Sequence, residues 1–157
     1  MPLVEESVWD YPRPPALEQI SDRITVKFAG REIVSTTGAF RVLETSHPPT
    51  YYIPPDDVLD GVLKPIVRRT MCEWKGAAKY FDVVVDGKTA SAAAWCYPTP
   101  TKSFEPIRDF ISVYPGAMDE CAVAGEVVRK QDGDFYGGWI TSNLKGPFKG
   151  PAGTQFW

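Results

Sequence analysis

Fifteen prolines are spread along these 157 residues, and no other feature restricts the fold as strongly. Each proline fixes φ at about −65° and removes a backbone donor, which rules out long helices and the interiors of central strands. What remains is short strands joined by stiff loops. Aromatic residues make up 13% of the chain, many of them beside proline or glycine, and they give those loops something to pack with. A chain of this length is one domain and can bury a sizeable core.

Three stretches repeat one pattern. Ile24-Thr25-Val26-Lys27-Phe28 alternates apolar and polar, reaches Ala29-Gly30 and resumes at Glu32-Ile33-Val34. Phe81-Asp82-Val83-Val84-Val85 turns at Asp86-Gly87 and resumes at Lys88. Cys121-Ala122-Val123-Ala124 turns at Gly125 and resumes at Val127-Val128. Period-two alternation predicts half-buried strands, and a glycine between two such runs supplies the positive φ of a tight hairpin turn. Further strands are expected over 39–43 and over 90–95, where almost every side chain is Ala or Ser. Small residues there imply either a closely packed neighbour or a concavity beside Trp95 and Tyr97. One helical turn is expected over 55–59, and a short helix over 103–110 with Ser103 as its cap. The expected fold class is therefore mostly β: a compact antiparallel sheet or small barrel built of hairpins, with one or two short helices. Residues 1–22 read as an extended arm and 23–118 as the β-rich core. Residues 119–157 read as a hairpin followed by a wrap on the same domain, with seven Gly or Pro and six aromatics between 135 and 157.

Charge narrows the partners. The net charge is −3, with acids and bases mixed along the chain, so no nucleic-acid or anionic-membrane footprint is expected. No apolar run approaches the ~18 residues of a membrane span. The first fifteen residues carry Glu5, Glu6, Asp10 and four prolines, unlike a signal peptide. Three cysteines leave at least one unpaired, which suits a reducing, cytoplasmic setting. A single histidine and no Cys-x-x-Cys pair make a metal site unexpected, and no cofactor is implied.

Two segments concentrate chemistry. Residues 41–55 bracket Tyr51-Tyr52 with two proline pairs and carry Arg41, Glu44 and His47. His47 is the side chain there that titrates near neutrality, a natural general acid or base, or else a loop histidine bonded to backbone. Residues 68–76 read Arg68-Arg69-Thr70-Met71-Cys72-Glu73-Trp74-Lys75-Gly76. If extended, Cys72, Trp74 and Gly76 share one face, and Glu73 and Lys75 the other. A thiol among those cations could be a nucleophile, or an inert buried residue. Lys75 before Gly76 is better placed to contact an anion, with the glycine allowing close backbone approach. The tail 146–154 lacks phosphate-loop spacing and reads as a structural wrap.

Several motifs recur in order: Arg41-Val42-Leu43-Glu44; Pro49-Thr50-Tyr51-Tyr52-Ile53-Pro54; Cys72-Glu73-Trp74-Lys75-Gly76 followed by Ala78 and Tyr80; Ala94-Trp95 followed by Tyr97, Pro98 and Pro100; and Tyr114-Pro115. Together they resemble the domain-of-unknown-function 427 family over residues 23–118. Glu73 stands where the family often has proline. The resemblance implies a compact β-rich cytosolic protein and little about activity. The nucleotidyltransferase label sometimes attached to the family lacks an acidic metal-binding pair here, because Asp56 and Asp57 are adjacent and point apart.

The functional expectation is a small polar or anionic ligand in a pocket lined by Arg41, His47, Tyr52, Lys75 and Trp95. Glu44, Trp74, Gly76, Tyr80 and Tyr97 are added as ligand contacts. Whether the site is catalytic stays open; His47, Cys72 and Lys75 are the candidates if it is. The alternative is a non-catalytic interaction or self-association module, a homodimer for instance, using aromatic-proline loops. Nucleotidyl transfer ranks last.

Overall fold

The computed structural model describes residues 3–133 and 135–157. Among them fifteen strands follow one another. The first six are β1 (Glu6–Ser7), β2 (Ala16–Gln19), β3 (Ile24–Phe28), β4 (Arg31–Thr36), β5 (Phe40–Leu43) and β6 (Thr50–Tyr52). Three longer ones come next: β7 (Leu63–Cys72), β8 (Gly76–Val85) and β9 (Lys88–Cys96), with β10 (Ser112–Val113) after them. The rest are β11 (Glu120–Val123), β12 (Glu126–Val127), β13 (Arg129–Lys130), β14 (Trp139–Ile140) and β15 (Leu144–Lys145). The helices are short 3-10 turns, and none is long and apolar enough to cross a membrane.

Each glycine-punctuated alternation forms its hairpin, as β3–β4, β8–β9 and β11–β12. In all three turns the glycine and the residue before it have positive φ: Ala29-Gly30, Asp86-Gly87 and Ala124-Gly125. Two successive left-handed residues make the turn whose twist matches paired strands. Alanine is an awkward occupant, because its Cβ crowds the carbonyl in that region. Ala124 is solvent-exposed with φ +51°. Asparagine at that position is therefore expected to raise stability by up to about 1 kcal/mol. In thermal unfolding this would read as a melting temperature about 2–4 °C higher.

The strands form separate sheets rather than a closed barrel. One sheet has the order β10-β9-β8-β7, a second β12-β11-β3-β4 and a third β2-β5-β6. Their inner faces meet in a core that includes Ile24, Val26, Val83, Val123 and Trp139, all fully buried. The parallel β1–β15 pair joins the two ends of the chain, and β13–β14 closes the wrap. The N-terminal segment is docked: Val8 is fully buried and its carbonyl accepts the Ser46 N–H at 3.0 Å.

Three expectations need correction. The 103–110 helix is a 3-10 segment, Lys102–Ile107, preceded by Thr101 rather than capped by Ser103. Pro106 inside it has no N–H to donate, which keeps it short. The long strand β7 was not legible, because Pro65 lies within it. Proline is tolerated because β7 is a sheet edge, and the pairing with β8 shifts register between Pro65 and Arg69. Finally, 72–76 is not one extended strand. β7 ends at Cys72, which pairs with Gly76, and the chain reverses over Glu73, Trp74 and Lys75.

Candidate functional site

That reversal shapes the site. Gly76 has φ +104°, a conformation side chains rarely adopt, and an added Cβ would lie 3.2 Å from the Thr99 carbonyl oxygen. The Thr101 hydroxyl donates to the Trp74 carbonyl at 2.6 Å, and the Thr101 N–H donates to the Lys75 carbonyl at 3.2 Å. The 99–101 loop thus pins the turn from behind. Gly76 gives way to a carbonyl, an acceptor, and not to an anion as its sequence position suggested. Trp74 and Lys75 are turned together into a cleft.

The cleft has a volume of about 240 Å³. Lys75 lies in its wall only 9% exposed, with its ammonium 5.7 Å from the Tyr97 ring centre and 5.8 Å from that of Phe104. Among the described residues no carboxylate lies within 4 Å of that ammonium. Cation–π contact recovers part of the lost hydration but leaves the charge un-neutralised. The floor comes from β6, β8 and the end of β9, through Tyr52, Tyr80 and Trp95. Burial pushes the Tyr52 phenol well above its ordinary range, so it stays a neutral hydroxyl; the Trp95 and Tyr97 side chains beside it offset part of that shift. Tyr80 shares a 3.1 Å hydrogen bond with Thr70 and carries the Arg68 guanidinium 4.8 Å above its ring.

The opposite wall is built by distant parts of the chain. Trp139 is fully buried, and its backbone N–H donates to the Pro49 carbonyl at 2.8 Å, which draws the wrap across residues 47–49. The Lys149 N–H donates to the Ser46 carbonyl at 2.8 Å, and its ammonium lies 5.2 Å from the Tyr136 ring centre. Gly137 rests on the Trp95 indole: an added Cβ would fall 2.3 Å from Cη2. Tyr136, Gly137 and Lys149 therefore close the cleft over Trp95.

His47 is buried here with Tyr136 against its ring at 4.7 Å. Gln131 sets its tautomer. Gln131 Oε1 accepts the Gly138 N–H at 3.1 Å, so its amide nitrogen faces both the Lys149 carbonyl at 2.8 Å and His47 Nδ1 at 3.3 Å. Nδ1 therefore accepts, and the ring proton lies on Nε2. Burial lowers the imidazole pKa to about 3, helped by the positive charges of Lys149, Arg13 and Lys75. Glu44 Oε2 is 3.8 Å from Nε2, but Arg13 holds the same oxygen at 3.1 Å and cancels most of its attraction for a proton. His47 is thus a neutral N–H donor at pH 7 and not the near-neutral acid or base its residue type suggested.

The arrangement brings His47, Cys72 and Lys75 to one cavity with Glu44, Tyr52, Trp74, Tyr80, Trp95 and Tyr97. Arg41 is not brought there. It lines a second cavity and is held by Glu6 at 2.9 Å and Glu18 at 2.8 Å. Its two carboxylates neutralise it, so it cannot serve as the anion anchor expected of it. Sequence reasoning missed Tyr114, Gln131, Phe135, Tyr136 and Lys149. The density of aromatics around Gly137-Gly138 was the available signal, read as structural only.

Cys72 is half-buried at the cleft, whereas Cys96 and Cys121 are buried among core residues. Burial raises the Cys96 thiol to about 11 and the Cys121 thiol to about 12, which leaves both unreactive. Iodoacetamide on the native protein is expected to add one label, at Cys72, and two more only after unfolding. Mass spectrometry of the intact and digested chain reads this directly.

A family profile described as "Domain of unknown function (DUF427)" matches residues 16–124. No curated protein matches the chain. The match runs from the first strand of the β2-β5-β6 sheet to the end of β11 and takes in the floor of the cleft and its Lys75 turn, though not the wrap that closes it. On that span, the chain belongs to the DUF427 family.

Proposed function

We propose that the cleft binds a small anionic molecule, with Lys75 as its anchor and Lys149 and His47 Nε2–H as further donors. The observation that supports this most is Lys75, a residue only 9% exposed in an aromatic wall, with no carboxylate of the described residues within 4 Å of its ammonium. A bound anion would give that ammonium the charged partner it lacks among the described residues. The cavity, at about 240 Å³, falls below the ~300–1,000 Å³ usual for drug-sized ligands, so the ligand is small. Binding alone is proposed; the neutral His47 and Tyr52 supply hydrogen bonds rather than proton transfer at neutral pH.

Thermal unfolding with small carboxylates tests this. A ligand at ten times its Kd stabilises by about 1.4 kcal/mol, or about 3–6 °C for a chain of this size. The increase is expected in the wild type and not in Lys75→Met. Equal increases in both proteins would refute the proposal.

The second reading, self-association through aromatic-proline loops, is favoured by exposed Trp9, Phe135 and Phe156, and a strand edge adds to them. Val67 and Met71 are 96% and 73% exposed on the β7 edge. That edge, however, carries Pro65, a register shift, Arg68 and Arg69, the devices that keep edge strands from pairing. Light scattering is expected to show a monomer. Nucleotidyl transfer stands lower: of the two glutamates that line the cleft, Glu44 and Glu73, Glu44 is held by Arg13, and Asp57, outside the cleft, accepts the Thr36 hydroxyl at 2.6 Å.

A further inference from the structure

We infer that the ligand is a planar carboxylic acid, its acid group at Lys75 and its flat unsaturated body against Trp95. This rests on the reading that the cleft binds an anion, and adds to it the kind of molecule that carries the charge.

The walls divide the cleft into two environments. Trp95 packs with Tyr114 at 4.5 Å between ring centres and with Tyr80 at 6.3 Å. Gly137 covers part of the indole with bare backbone, and Trp95 still lines the cavity. Aromatic faces carry the negative part of the ring quadrupole, so an anionic group is repelled from them, while a neutral flat ring stacks or packs edge-on. The charged end is therefore placed away from the indole, at the Lys75 ammonium, in a cavity that Lys149 and His47 also line.

The donor set favours carboxylate over phosphate. Phosphate sites are typically cradles of backbone N–H groups, often at a helix N-terminus. Here Pro48 lines the cavity without an N–H, the His47 N–H is used by the Glu44 carbonyl at 3.0 Å, and the Gly138 N–H by Gln131. The Lys75 and Lys149 ammoniums and the His47 imidazole, which line the same cavity, are donors enough for two carboxylate oxygens. The volume of about 240 Å³ suits a single ring with its acid group.

Matched probes separate the terms. Proton–nitrogen correlation spectra of the full chain would be titrated with benzoate, cyclohexanecarboxylate, acetate, inorganic phosphate and benzyl alcohol. Benzoate is expected to bind about three- to tenfold more tightly than cyclohexanecarboxylate, the worth of one aromatic contact. It should also move the Trp95 indole N–H signal by ring current, as cyclohexanecarboxylate should not. If cyclohexanecarboxylate or phosphate binds as well as benzoate, the planar-acid inference is overturned and anion binding survives. If benzyl alcohol matches benzoate, and Lys75→Met weakens neither, anion binding itself is overturned. If no probe binds, both are.

Discussion

Lys75→Met should leave the protein more stable and unable to hold its ligand. Methionine keeps the length and the contacts with Tyr97 and Phe104 while removing an ammonium that has no carboxylate of the described residues within 4 Å. A gain of about 1 kcal/mol in the free protein is expected, the lower end of what apolar replacement of buried charge delivers. Affinity for benzoate should fall at least tenfold, a loss of about 1.4 kcal/mol or more. Stability gained and function lost at one position is the signature of a residue kept for binding. Denaturant unfolding and calorimetric titration on the same two proteins measure both halves. A variant that is less stable and binds unchanged would show Lys75 to be structural.

The second large effect is on pH. His47 is the chain's only histidine, so its titration is read without ambiguity. Its folded pKa is lowered to about 3, chiefly by burial, while the unfolded imidazole protonates near 6.5. The neutral folded form contributes fully above pH 6.5. As pH falls below that, the unfolded chain takes up a proton that the folded chain refuses. Stability then declines by up to about 1.4 kcal/mol per pH unit, until the folded ring protonates near the bottom of the window. Between pH 6.5 and 5 few carboxylates contribute; Glu6 loses its own share only below 4.5. Its pKa is raised by burial but lowered overall by Arg41 and Tyr11. His47→Gln should flatten the decline between pH 6.5 and 5. The imidazole carbon-bound proton should show no titration step between pH 8 and 5 in the folded protein. A step near 6.5 would contradict the burial and tautomer assigned to it.

The parts of this molecule that could be read from sequence are those set by neighbours in the chain. Ala29-Gly30, Asp86-Gly87 and Ala124-Gly125 announced their hairpins because alternation and turn chemistry are local. Tyr52 and Trp95 lie at or near the ends of strands β6 and β9, and with Lys75 they line one cavity. The errors are non-local. Arg41 looked like an anion anchor because Glu6 and Glu18, which neutralise it, come from the N-terminal segment. His47 looked titratable because nothing nearby in sequence buries it; Gln131 and Tyr136 do. The reversal at Glu73, Trp74 and Lys75 depends on Thr99 and Thr101, on the far side of a hairpin. Lys149 reaches the cleft only because Trp139 is pulled into the core and carries the wrap with it.

At the centre of this proposal the Lys75 ammonium donates to the carboxylate oxygens of the ligand's acid group. Crystals soaked with 4-bromobenzoate test it most directly, since bromine marks the ring and its orientation by anomalous scattering. The account predicts the carboxylate at about 2.7–2.9 Å from Lys75 Nζ, with bromine toward Trp95 and Gly137. Bromobenzoate seated beside Arg41 in the second cavity, or a Lys75 side chain turned out to solvent with the cleft empty, would contradict it.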